Sequence, residues 1–183
     1  MIHPEFFEHQ GEQYALTHLQ ATQFSLLLQE HKNNPELEIL IDIRYSNHCY
    51  SEGEPDIEGR ECDFYDHNNW PRWFNPGRHE TSLLLPGLVQ EIHKKKCLFT
   101  GKHNWLVIEV QTLEGERVPF HVYFAIRKNK HVDNCLYITI ESAYLKTRGD
   151  NSPHRHGSMD RTAFAMLARK TLAGQPVRRP RRR

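Results

Sequence analysis

No run of eighteen apolar residues occurs anywhere in the 183-residue chain, which excludes a hydrophobic helix able to span a bilayer. The opening segment MIHPEFFEHQ lacks both the basic and the apolar block of an export signal. A cytoplasmic location with no membrane association is therefore expected. Cysteine is scarce: Cys49, Cys62, Cys97 and Cys135 are separated by 13, 35 and 38 positions. That spacing offers no CxxC pair to clamp zinc, and a disulfide framework does not suit a chain of this size without export. Reduced, mostly buried thiols are expected. A GKS or GKT ending is also missing, so the turn FTGKHN (99–104), although a possible phosphate contact, does not make a nucleotide-triphosphate loop. Neither a cofactor nor a metal is expected.

What is present suffices for one core. Hydrophobic residues make up 38% of the chain and aromatics 10%, more than a disordered chain carries. The mean hydropathy of −0.73 implies that something polar is attached to that core. Charge is divided unevenly. From Lys146 onward eleven Lys or Arg face only Asp150 and Asp160, a net +9, which leaves −8 on residues 1–145. An acidic body with a basic tail is an arrangement that seeks polyanions.

Alternation at period two marks strands with one buried face. LEILIDIRY (37–45) puts Leu37, Ile39, Ile41, Ile43 and Tyr45 on one side. NWLVIEV (104–110), PFHVYFAIR (119–127) and CLYITIESAY (135–144) repeat the pattern, and TQFSLLLQ (22–29) reads as a further strand. One helix is expected over LPGLVQEIHKKK (85–96), with Leu85, Leu88, Val89 and Ile92 as its apolar stripe. The fold class is α+β: an antiparallel sheet of four to five strands, one main helix on one face, and a long irregular loop over 51–80. Residues 1–145 form a single domain, and 146–183 a basic, largely flexible tail able to form a short helix over 160–170.

The polar sheet face collects the candidate chemistry. Alternation places Arg44, His48, Glu109, His121, Tyr123, Arg127 and Glu141 there. Imidazole, carboxylate and guanidinium groups on one face are the parts that metal-free RNA cleavage needs: a base for the 2′-hydroxyl, an acid for the leaving oxygen, and arginine for the phosphate. The bland alternative is an ordinary solvated sheet face. His48 and Cys49 hint at half a zinc site, but neighbours on a strand point to opposite faces. Arg72 and Arg78, in RWFNPGRHETS, precede the helix where an anion would meet free backbone N–H groups. Pairing with the seven acids of 52–66 is the alternative for them. The clustered tail arginines fit a phosphate backbone.

The blocks YSNHCY, RWFNPGRHETSLLLP, KCLFTGKHNWL, VYFAIRK and ESAYL, within residues 37–145, resemble a bacterial group labelled stationary phase growth adaptation proteins and found near mobile elements. The positions matching that group are His48, Arg78, Ser82, Ser142 and Tyr144. A helix on an antiparallel sheet ending in SAY also resembles, at the level of fold, the barnase and RelE type of ribonuclease used by toxins. Strict alternation sets Ser142 and Tyr144 on the buried face, opposite His48 and His121. A bulge or the strand's end would bring the two sets together.

The expected function is a toxin-type, metal-independent endoribonuclease: His48 or His121 as acid or base, Arg78 and Arg127 on the phosphate, and Tyr144 positioning the substrate. The alternative is a non-catalytic accessory protein of a mobile element or phage-defence locus. It would bind nucleic acid, RNA rather than DNA, through the basic tail and a protein partner through the 51–80 loop. A ribonuclease requires His48, His121 and Arg78 to converge on one cleft. A binding module shows an exposed aromatic patch around Trp70, Trp73 and Phe74 instead.

Overall fold

Period-two alternation becomes strands where the sequence places it. The computed structural model describes residues 3–30, 34–54, 59, 61–99, 104–111, 117–145 and 161–176. Strands β1 (Phe6–His9) and β2 (Glu12–Ala15) open the chain as a hairpin. Its turn residues Gln10 and Gly11 both have positive φ, 54° and 83°, which matches the twist of the flanking strands. β3 (Thr22–Leu28) and β4 (Leu37–Tyr45) follow, then a tight 3-10 turn at Asn47–Cys49.

The stretch 51–80, expected as an irregular loop, is a small folded unit. It contains β5 (Ser51–Glu52), β6 (Phe64–Tyr65) and β7 (Pro71–Phe74), which pair in the order β5-β7-β6, and then α1 (Pro76–Ser82). Strands of two to four residues are too short to show alternation. The helix expected over 85–96 is α2 (Leu85–Gln90), broken at Glu91 (φ −97°, ψ 9°) and continued by a 3-10 turn at Ile92–Lys94. The stripe Leu85, Leu88, Val89 and Ile92 is nonetheless buried.

β8 (Lys96–Phe99), β9 (Asn104–Gln111), β10 (Arg117–Lys128), β11 (Cys135–Leu145) and β12 (Arg161–Ala163) complete the strands, and α3 (Phe164–Leu172) is the last helix. The fold is α+β. The main sheet has seven strands in the order β12-β8-β9-β10-β11-β4-β3. All neighbours run antiparallel except β4 and β11, which are parallel. The sheet is thus larger than expected and mixed. No hairpin joins β4 to β11, so the direction of that pair is set by the intervening chain rather than by a tight turn.

One face of this sheet is the core. Ile39, Ile41, Ile43 and Tyr45 of β4, Phe120, Val122 and Phe124 of β10, and Leu136, Ile138 and Ile140 of β11 are all buried. The inward set expected for β9 lies outside the described side chains. α2 supplies Leu85, Leu88 and Val89 to the same cluster. So does α3, with Phe164, Leu167, Ala168 and Leu172. The segment expected as a tail therefore contributes both an edge strand and a helix that packs on β10 and β11. Residues 146–160 and 177–183 lie outside the described residues.

The membership of α3 in the core has a measurable consequence. Phe164 is fully buried, so Phe164→Ala is expected to cost about 3–5 kcal/mol of folding stability by denaturant unfolding. A change near zero would return α3 to the tail.

Candidate functional site

The site begins where β4 ends. Beyond Tyr45 the chain leaves the sheet, and the Ser46 hydroxyl accepts the His48 N–H at 3.2 Å, starting the 3-10 turn. The turn aims adjacent side chains in opposite directions. Cys49 is fully buried, and burial pushes its thiol up to about 12. His48 remains half-exposed. The two do not share a ligand, which removes the zinc hint. Among the described residues no group of three His, Cys, Asp or Glu side chains is placed to hold a metal ion.

Ser51, fully buried, ties this turn to β7 and α1. Its hydroxyl donates to the Asn47 carbonyl at 2.8 Å and accepts Arg72 Nε at 3.1 Å. Its carbonyl accepts two guanidinium groups, Arg72 Nη2 at 2.9 Å and Arg78 Nη1 at 2.8 Å. Arg78 Nη1 also reaches the His48 carbonyl at 3.4 Å. Two cations therefore converge on one oxygen. Arg72 is 8% exposed, and among the described residues it makes no ion pair. Burial, and then the neighbouring Arg78 charge, hold its pKa below the ordinary arginine value.

These arginines are not where the sequence put them. An anion at the start of α1 is pre-empted, because the Asn75 side chain accepts the Arg78 N–H at 2.9 Å. Among the described residues Arg72 makes no ion pair with an acid of 52–66 either; the Ser51 main chain and hydroxyl bond it.

A bulge in β11 supplies the other wall. Tyr123 of β10 faces Ser142, whereas the next residue, Phe124, faces Ile140, so Glu141 is one residue too many. The extra residue shifts the alternation. Ala143 is buried opposite Val122, and Tyr144 comes out opposite His121. The tension between the two sets of residues is resolved by this device. Tyr144 stacks on Tyr123 (ring centroids 5.8 Å, 19°) and on His121 (6.0 Å, 25°), and the Tyr123 and Tyr144 hydroxyls are 3.2 Å apart. The Arg78 guanidinium lies 5.1 Å from the Tyr144 ring centre, at cation–π distance.

His48 faces a second carboxylate-lined cleft. Its Nε2 is 3.3 Å from Asp66 Oδ2. An ionised carboxylate only accepts, so Nε2 carries the proton in neutral His48 and Nδ1 is left bare. Burial opposes ionisation of Asp66, but N–H groups of Trp70 and Asn68 and the contact with His48 outweigh it and hold its pKa below the usual carboxylate value. Burial first, and the Arg72 charge second, push the His48 imidazole below its ordinary value; Asp66 works in the other direction. That shift favours the neutral imidazole. It lines a cleft of about 570 Å³ with Glu54, Asp66, Asn68, Trp70 and Arg72. Arg78 and Tyr144 line an adjoining cleft of about 550 Å³ with Glu52, Asn75 and Thr81. The adjoining relation runs through Arg78, which bonds the His48 carbonyl from its own side.

The expected catalytic set is only partly assembled. Arg78 and Tyr144 meet, and His48 joins them through its carbonyl. His121 is 4% exposed and lines neither cleft, so its place on an open face is corrected. Arg127 is exposed six residues further along β10, about 20 Å away, beside Tyr137, whose ring carries Arg44. Ser82 is fully buried in α1; its hydroxyl donates to the His79 carbonyl at 2.6 Å and lies 2.7 Å from His18 Nε2. The exposed aromatic patch reduces to Trp70, because Trp73 and Phe74 are buried and Phe74 packs against Phe7, Tyr14, Tyr50 and His79. Sequence reasoning missed Ser51 and Asp66, whose roles depend on partners up to 27 positions away.

Two titrations check these assignments. In NMR spectra the His48 pKa is expected below 6.5, to rise in Arg72→Met as a repelling cation is lost, and to fall further in Asp66→Asn. His18, half-buried and repelled by His79, is lowered to about 4. Its folded value lies below its unfolded one, so its contribution to stability is full above about 6.5 and is lost as pH falls toward 4. Chemical denaturation at pH 7 and 4.5 is expected to show that loss, and His18→Gln to reduce it.

A sequence-family comparison extends past the blocks that suggested a resemblance. The model of the YjaZ family matches residues 6–172, from the first strand to the end of α3. Neither a curated protein nor a solved structure matches. The family's description names neither growth adaptation nor ribonuclease. With nine-tenths of its length matched, the chain belongs to the YjaZ family.

Proposed function

We propose that this protein binds single-stranded RNA at the two arginines and cleaves it by metal-independent acid–base chemistry. The convergence of His48, His121 and Arg78 on one cleft is not met, since Arg78 lines a different cleft from His48 and His121 lines neither. The observation that carries the reading is instead the Ser51 carbonyl with Arg72 and Arg78 both bonded to it, beside the turn that holds His48. A pair of guanidinium groups suits a phosphodiester, which presents oxygens to both. His48 Nδ1 takes the proton of the 2′-hydroxyl. The 2′-oxygen bonds to phosphorus, the bond to the 5′-oxygen breaks, and that oxygen takes a proton from water in the open cleft. Arg72 and Arg78 stabilise the charge that develops on the phosphate. Tyr144 fixes Arg78 from below. His121 supports Tyr144 rather than touching substrate, and Arg127 has no part in the step.

A second reading keeps the binding and drops the cleavage: an accessory protein that holds nucleic acid, and a protein partner at the 51–80 segment. The exposure of Tyr65 and Trp70, 61% and 67%, favours it. Under either reading the basic residues near the end of the chain add non-specific phosphate contact that weakens with salt.

Incubation of the purified protein with labelled single-stranded RNA in EDTA separates the two. The expected outcome is cleavage that leaves cyclic phosphate ends and falls about 10²–10⁴-fold in His48→Ala. Its rate is expected to rise with pH to a plateau whose midpoint matches the His48 titration. Binding without cleavage establishes the accessory reading, and no interaction with RNA removes both.

A further inference from the structure

Trp70 is 67% exposed, the most exposed of the described large hydrophobic residues, although it sits in a tightly bonded turn. The turn joins β6 to β7 and is organised by Asp66. Asp66 Oδ1 accepts the N–H groups of Asn68 at 2.8 Å and Trp70 at 3.0 Å. The Asp66 N–H donates to the Trp70 carbonyl at 2.9 Å, and the Asn69 N–H to the Asp66 carbonyl at 2.9 Å. Asn69 takes the left-handed conformation (φ 61°) that closes the turn. Trp70 is thus presented on a fixed backbone.

The same carboxylate holds His48. Asp66 Oδ2 takes the imidazole while Oδ1 takes the Trp70 N–H, so the orientation of the base and the place of the indole are set by one side chain. Trp70 and Arg72 line the same cleft as His48. They are two residues apart at the start of β7, about 7 Å along a strand, within the reach of a single nucleotide. An indole left in water costs free energy unless something covers it.

We propose that Trp70 is the stacking platform for the nucleobase attached to the phosphate that Arg72 and Arg78 hold, which makes unpaired nucleotides the substrate class. The inference rests on the RNA reading above and adds to it a base subsite. In a duplex, base faces are covered by their neighbours, and only an unstacked base can lie on an indole. Preference among the four bases is weak, because every base has a π-face.

The test uses the full-length protein, a short oligouridylate and its duplex with oligoadenylate. Tryptophan emission is recorded during titration. Three tryptophans are present, so the Trp70 signal is the difference between wild type and Trp70→Phe. Wild-type emission is expected to quench on adding the single strand, and the quench to vanish in Trp70→Phe while binding, read by anisotropy of a labelled strand, persists. Trp70→Leu is expected to weaken binding about 5- to 150-fold, and Phe to recover much of it. The duplex is expected to bind more weakly than the single strand. Equal affinity of wild type and Trp70→Leu for the single strand overturns the base subsite while leaving the phosphate site intact. No binding by wild type overturns the RNA reading itself, and the subsite with it.

Discussion

The carbonyl of Ser51 is the point on which the loop elements turn. It receives Arg72 from β7 and Arg78 from α1, so β5, β7 and α1 are fixed to one buried oxygen. The two donor nitrogens are then no more than about 6 Å apart, and like charges that close repel by on the order of 3 kcal/mol at the effective dielectric near a protein surface. The Ser51 hydroxyl and carbonyl offset part of that cost, and the ring of Tyr144 under Arg78 offsets more.

How much of this is legible in the sequence depends on the range of the interaction. β4, β10 and β11 are visible because a half-buried strand writes its burial every second residue, and β3 is visible for the same reason. β5, β6 and β7 span two to four residues, too few for a period. The parallel pairing of β4 with β11 has no local signature, since it depends on where a long connection returns the chain. The bulge at Glu141 is a single added residue, and composition does not register it. Its effect on the site is nonetheless large. Without it Tyr144 would lie in the core, and Arg78 would have no ring to rest on.

A count of charges along the chain does not say where each arginine sits, and the short helix expected over 160–170 overlaps α3. Arg169 belongs to the basic segment, yet it donates to the carbonyls of Leu28, Gln29 and Pro35 and so fastens α3 to the end of β3. That arginine caps backbone groups. The apolar residues Phe164, Leu167, Ala168 and Leu172, four among nine, decide the fate of the helix despite its basic neighbours. Burying them stabilises the chain far more than exposed charge can repel it, at roughly 1.5–3 kcal/mol for each large side chain.

The contrast between Cys49 and His48 shows how the turn after β4 sorts neighbouring side chains. On a continued strand these residues would alternate, with the imidazole projecting from an open sheet at the ordinary histidine pKa. The 3-10 turn takes them off the sheet instead. Cys49 plugs the core and anchors the backbone, its Sγ 3.8 Å from the Ile140 carbonyl beside the bulge. His48 is thereby held at the cleft edge, partly desolvated, between a carboxylate that sets its tautomer and an arginine that lowers its pKa. Rigid sheet, irregular rim and buried hub divide the work: the first fixes position, the second presents the polar side chains of the clefts, and the third keeps two cations where water alone would have separated them.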